Sequence, residues 1–184
     1  MDLLTGGLPR TVNIKGVEYP IDTDFRTFIQ FELILNNDED DLVQIGKAMY
    51  LAYGEELPAD LPGAVDALLW FYAGGNPQRA KKAQRTYYFD HDADFIYSAF
   101  LDQYGVDLSD VEYLHWWKFR AMFRSLKEDN EIVKIIGFRS VKVDSRMPKE
   151  QRKFYARMKA EFAPPLSERQ MKRQAELDEM LMRK

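Results

Sequence analysis

Two histidines are the whole imidazole complement of this 184-residue sequence, and it has no cysteine. Acid–base or metal chemistry near neutral pH would therefore run through His91 or His115, helped by carboxylates. His91 sits in "FDHDADF", where Asp90, Asp92 and Asp94 lie close enough in sequence to suggest a cation site. The same acids are explained as helix-start residues that favour the positive end of a helix dipole. With no second histidine or thiolate nearby, that explanation is the stronger. His115, in "YLHWWKF", lies among apolar residues and reads as a satisfied core or boundary histidine. The acids of "NNDEDD" lack the glycine and terminal glutamate of a calcium loop. "AGGNP" has no Lys-Ser/Thr after it and makes no phosphate cradle. No catalytic, cofactor or metal residues are expected, which leaves recognition.

Two stretches are built for recognition. "QRAKKAQRTYYF" joins Arg79, Lys81, Lys82 and Arg85 to two tyrosines, a combination that can grip phosphates and stack bases. A solvated linker is the alternative, and it better fits an acidic chain with no nucleic-acid motif. "YLHWWKFRAMFRSL", residues 113–126, places two of the three tryptophans side by side. Wound as a helix at about 100° per residue, it puts Val111, Leu114, Phe119, Met122 and Leu126 on one wide arc. Trp116 and Phe123 extend one flank of that arc, and Trp117 and Tyr113 the other. Only Arg120, Arg124 and Lys127 make a polar stripe. A helix apolar nearly all round is buried on several sides. Trp116 reads as core, its N–H bonded to a neighbour. Trp117 keeps two readings: core, or a hot spot facing a protein partner.

The elements that must position these residues are mostly helices. "TVNIKGVEYPI" reads as a hairpin turning at Lys15-Gly16, with Pro20 marking an edge strand. A helix follows Asp22, Thr23 or Asp24 as cap, with Phe25, Phe28, Ile29 and Glu32 at helical spacing. Two more are expected at about Leu42–Tyr53, stopped by Gly54, and in "LPGAVDALLWFYAGG". "FDHDADFIYSAFLDQYG" puts Phe95, Ile96, Ala99, Phe100 and Tyr104 on one side, with Asp94, Ser98 and Asp102 opposite. Ser109 and Glu112 stand at capping-box spacing, so the tryptophan helix is expected to open there. Further helices are predicted over Glu131–Phe138, after Pro148 as far as Pro164-Pro165, and from Ser167 onward.

The fold class expected is mainly α: a helical bundle with a short N-terminal β-hairpin and a C-terminal helical tail. Residues 1–163 form one domain, comprising a hairpin and acidic helices (10–73), a basic linker (74–86) and an aromatic-rich helical core (87–163). Residues 164–184 form the tail. A hydrophobic fraction of 46% with 14% aromatics is a globular level. No run is long enough to span a membrane, and "MDLLTGGLPR" lacks the order of a signal peptide. The net charge of −4 hides an asymmetry: residues 1–73 carry 13 acids and 4 bases, residues 74–184 carry 17 acids and 22 bases. Either the two ends attract within one fold, or an acidic surface meets a basic one on another copy.

The ordered series "HDADFIYSAF", "YGVDL", "YLHWWKFRAMF" and "GFRS", followed by "KEQRKFYARMKAEFA" and preceded by "VNIKGVEYPIDTDFRTFIQFE", resembles the gene-product-fifteen family of phages and prophages of Gram-positive bacteria. The resemblance covers about residues 10–162. It implies a tail assembly chaperone of long-tailed phages, non-catalytic and without cofactor. Such a protein binds the tape-measure protein, helps recruit tail-tube protein, works in the host cytoplasm and is absent from the mature virion. A structural tail component retained in the virion is the alternative, and a nucleic-acid binder a more distant one. With that partner in view, Tyr113, Trp117 and Met122 are the expected tape-measure groove. Asp94 and Asp102 on one helix and Arg120 and Arg124 on the next are the expected charge-pairing residues, within the fold or in a homo-oligomer.

Overall fold

A computed structural model describes residues 5–76, 85–165 and, in the C-terminal stretch, positions 171, 175, 176 and 179. Most of the expected basic linker 74–86 and most of the tail 164–184 lie outside the described residues. The chain is mainly α: a two-stranded antiparallel hairpin precedes seven helices among the described residues.

The hairpin forms as its turn chemistry dictates. β1 (Thr11–Ile14) pairs with β2 (Val17–Pro20) in a register set by Ile14 opposite Val17. Lys15 and Gly16 both have positive φ, 50° and 87°. This is the backbone twist that two-residue hairpins need. Val12 and Ile14 turn inward onto α3 (Leu61–Tyr72), which supplies the third layer that two strands alone lack.

Aspartates start the first three helices. Asp24, Asp40 and Asp60 each accept a backbone N–H at the head of α1 (Phe25–Leu35), α2 (Asp41–Tyr53) and α3. α4 spans Ala93–Tyr104 and ends at Gly105 in the left-handed conformation. α5 covers Trp116–Arg124, α6 Glu131–Ser140 and α7 Lys149–Glu161. α5 therefore opens six residues later than the Ser109/Glu112 capping box predicts. Asp107 takes the Ser109 N–H and hydroxyl in a local turn. Arg26 then donates to the carbonyls of Leu108 and Val111, tying residues 108–111 to α1. An antiparallel bridge between Asp24 and His115 completes the strap. The backbone groups a helix would have used are taken by a distant partner.

One apolar cluster runs from Val12 on β1 to Ile132 on α6. The principal packings form a series: α2 and α3 against each other, α2 on α1, α1 on α5, α5 on α4, α4 on α6, and α6 on α7. α2 and α3 stand at one end of that series and α7 at the other.

Candidate docking surface

The paired tryptophans share one task. The last carbonyls of a helix have no partner within it. Trp116 Nε1 donates to Tyr72 O at 3.0 Å and Trp117 Nε1 to Phe71 O at 2.8 Å, so consecutive indoles tie down consecutive carbonyls at the end of α3. Trp116 packs against Phe28, Tyr72 and Phe119, as a core residue should. Trp117 is only 5% exposed. Trp70, Phe71 and His115 surround its ring, and a side chain on Gly75, where φ is +75°, would come within 2.9 Å of it. His115 is the N-cap of α5: Nδ1 accepts the Trp117 N–H, and Nε2 donates to Pro9 O. Burial lowers its pKa below the ordinary 6.5, and the ring is held neutral in that tautomer.

The three residues of the expected tape-measure groove occupy different settings. Trp117 belongs to the core. Tyr113 lies on the strap before α5, sharing a hydrogen bond with Thr23 Oγ1 beneath the Arg10 guanidinium. Met122 is half-buried against the core, its carbonyl taken by the Tyr104 hydroxyl. Because α5 starts at Trp116, Tyr113 and Trp117 never share a helical flank. Asp94 and Asp102 are exposed on α4, Arg124 is exposed on α5, and Arg120 leans over the rings of Trp116 and Tyr72. Among the described residues no ion pair joins these acids to these arginines.

Two ion pairs, one buried and one partly buried, went unread in the sequence. Asp92 is more than a helix-start acid. It is 1% exposed and bound two-pronged by Arg139, at 2.6 and 2.9 Å. Arg139 also donates to Thr86 O and Phe162 O, and Asp92 accepts the Tyr88 N–H. One pair thus fastens the run before α4, α6 and the end of α7. The second pair is Glu32 with Arg85, at 2.7 Å, and the Tyr72 hydroxyl donates to the same carboxylate. Burial, reinforced by the Glu32 charge, pushes the Tyr72 phenol well above its ordinary value. Arg85 is accordingly committed inside the fold, whereas Arg79, Lys81 and Lys82 lie outside the described residues. No three His, Asp or Glu side chains are grouped to hold a metal ion among the described residues, and none of the described helices is long and apolar enough to cross a membrane.

The open apolar surface is on α2 and α3. In "LVQIGKAMYLAY" only Gln44 and Lys47 are conventionally polar, and Gln44 is the buried one. Its amide donates to Asn37 and Glu39, holding the acidic turn against the helix, and it shares the buried face with Ala48, Met49 and Ala52 while several larger apolar residues stay outside. Leu42 is 79% exposed, and Val43, Ile45 and Tyr50 are exposed as well. Leu42, Ile45 and Met49 form one stripe at i, i+3, i+7; Leu61, Val65 and Leu69 form a second at i, i+4, i+8. Between the stripes, with Phe31 and Leu35 as floor, is a furrow of about 190 Å³ lined only by apolar residues. Asp38, Glu39, Asp40 and Asp41 precede it on the chain, and Glu55 and Glu56 follow α2. α2, like α5, is apolar nearly all round, and that pattern is the sequence signal of this surface.

Curated proteins and solved structures offer no match to the chain. The model of one protein family, described as Bacteriophage Gp15 protein, matches residues 4–163, from ahead of β1 to the end of α7. The chain is a member of the bacteriophage Gp15 protein family.

Proposed function

We propose that this protein is a non-catalytic tail assembly chaperone whose α1–α3 furrow holds amphipathic helices of the tape-measure protein. It keeps that protein soluble in the host cytoplasm, assists recruitment of tail-tube protein, and leaves before the virion is complete. The observation that carries the reading is α2, which buries Gln44 with Ala48, Met49 and Ala52 yet leaves Leu42, Val43, Ile45 and Tyr50 exposed. Exposed apolar stripes of this kind mark interaction surfaces. Leu42 to Met49 spans about 10 Å along the axis, two turns of an apposed helix.

The magnitude bears on how the protein would act. Fully covering an exposed Leu or Ile contributes about 1.5–3 kcal/mol. Scaled by the exposures of Ile45 and Leu69, which line the furrow, and of Leu42 and Leu61, which extend the two stripes beyond it, the whole surface offers about 3–6 kcal/mol before the costs of association. One furrow therefore holds one helix weakly, and covering a long rod takes many copies.

The test is co-expression with the tape-measure protein. Leu42→Asp/Leu61→Asp removes the two most exposed of those four residues and leaves the core alone. The tape-measure protein is expected to shift to the insoluble fraction while the variant keeps its circular dichroism and melting temperature. An unchanged soluble yield would refute the furrow. Mass spectrometry of purified virions should find this chain absent; a fixed copy number there would make it a structural tail component instead.

A further inference from the structure

Among the described helices α7 alone has no buried residue, although it is as long as α2. Its inner side, Tyr155, Met158 and Phe162, rests on α6, where Phe138 meets Phe154 and Phe162. Its outer side presents Lys149, Arg152, Lys153 and Arg157, all exposed, with Lys153 3.7 Å from the exposed Glu150 one turn before it. Residues 142–159 carry seven bases and two acids. At the other end of the packing series, residues 37–66 carry eight acids and one base, Lys47, which is already bound to Glu39.

α3 divides that acidic end into two grooves. On one side is the apolar furrow. On the other, between β1 and α3, is a groove of about 690 Å³ with Ile14, Ala67 and Trp70 as floor and Asp60 and Asp66 on its walls. Asp60 is held by Lys15 at 2.9 Å, whereas Asp66 makes no ion pair among the described residues. Asp66 and Trp70 stand one helical turn apart, about 6 Å, the same spacing as Lys153 and Arg157 on α7. A lysine can meet the carboxylate while an arginine lies on the indole face. α3 and α7 share none of the principal packings within the chain, so this contact joins different copies.

We propose that copies of this chain associate head to tail, with the basic outer ridge of α7 seated in the Asp66–Trp70 groove between β1 and α3 of the next copy. The contact is heterologous and so propagates into a ring or an open spiral. It lies on the opposite side of α3 from the apolar furrow, which stays open, and it does not depend on the chaperone reading. A second copy is favoured over nucleic acid as the occupant because the chain carries the complementary acidic groove itself and is acidic overall.

The experiment is a charge swap followed by light scattering and sedimentation of the full chain at low and high salt. The wild type is expected to form oligomers that grow with concentration and dissociate as salt rises. Lys153→Glu/Arg157→Glu alone, and Asp66→Lys alone, should each weaken association about tenfold. Mixing the two variants should restore it, since the reversed ridge then meets a reversed groove. Circular dichroism controls for folding, and α7 buries nothing that the substitutions could disturb. A wild type that stays monomeric at every concentration overturns the proposal. So does a ridge variant that associates like the wild type, or a monomer that instead binds DNA through Lys153 and Arg157.

Discussion

Replacing Arg139 by methionine should cost this protein a large part of its stability. The guanidinium is 5% exposed and the Asp92 carboxylate 1%, with two hydrogen bonds of 2.6 and 2.9 Å between them. Arg139→Met removes one charge and strands the other in the interior with only the Tyr88 N–H as a described partner. Breaking a buried pair in this one-sided way costs about 3–5 kcal/mol, against a total stability of about 5–15 kcal/mol for a domain. At about 2–4 °C per kcal/mol for a chain of this size, the melting temperature should fall by about 6–20 °C. Thermal denaturation followed by circular dichroism reads the loss, and urea titration followed by the fluorescence of the buried Trp116 and Trp117 checks it. The double variant Asp92→Leu/Arg139→Met supplies the control. With no charge left unpaired, it should be no less stable than Arg139→Met alone, although Asp92→Leu by itself is also damaging. A single-variant shift below about 2 °C would show that the carboxylate is not isolated by losing Arg139, and the reasoning from burial would be wrong.

Two further outcomes follow from α5. Trp117→Ala should destabilise by about 3–5 kcal/mol in urea titration, because it opens a void beside Phe71 and Trp70, whereas Trp117→Phe should cost distinctly less; equal losses would place the ring outside the core. His115 refuses a proton in the folded state that it accepts in the unfolded one, so its contribution to stability is full above its ordinary pKa of 6.5 and declines as pH falls below it. His115→Asn, which keeps a capping acceptor but cannot titrate, should flatten the fall in melting temperature between about pH 7 and pH 5.5. An unchanged slope would assign the acid sensitivity to other groups.

The hairpin, the ends of most helices and the mainly α class were legible from residues a few places apart. A positive-φ pair at Lys15-Gly16, an aspartate ahead of α1, α2 and α3, and glycines after α2 and α4 act on their own neighbours, and no tertiary contact overrode them. The core role of Trp116 and the satisfied His115 were legible too, because an apolar surround leaves such groups few alternatives. The position where α5 begins was not. Ser109 and Glu112 have the right local spacing, but Arg26, 85 residues before Val111, takes the carbonyl that residue would have given to a helix, and Asp24 takes the Leu114 N–H.

The same distinction separates the site residues. Helical winding states the angle between Trp116 and Trp117, but not what lies across from each, and the carbonyls of Phe71 and Tyr72 made both part of the core. Asp92 read as a dipole acid because its partner is 47 residues on. The chain by itself determined which segments are helical, how apolar they are and how unevenly charge is spread along them. Only tertiary packing decided which apolar faces were covered: α5 is enclosed by α1, α4 and the end of α3, whereas α2 packs on α1 and α3 and leaves Leu42, Val43, Ile45 and Tyr50 outside, so similar greasy patterns became a core in one case and an open surface in the other.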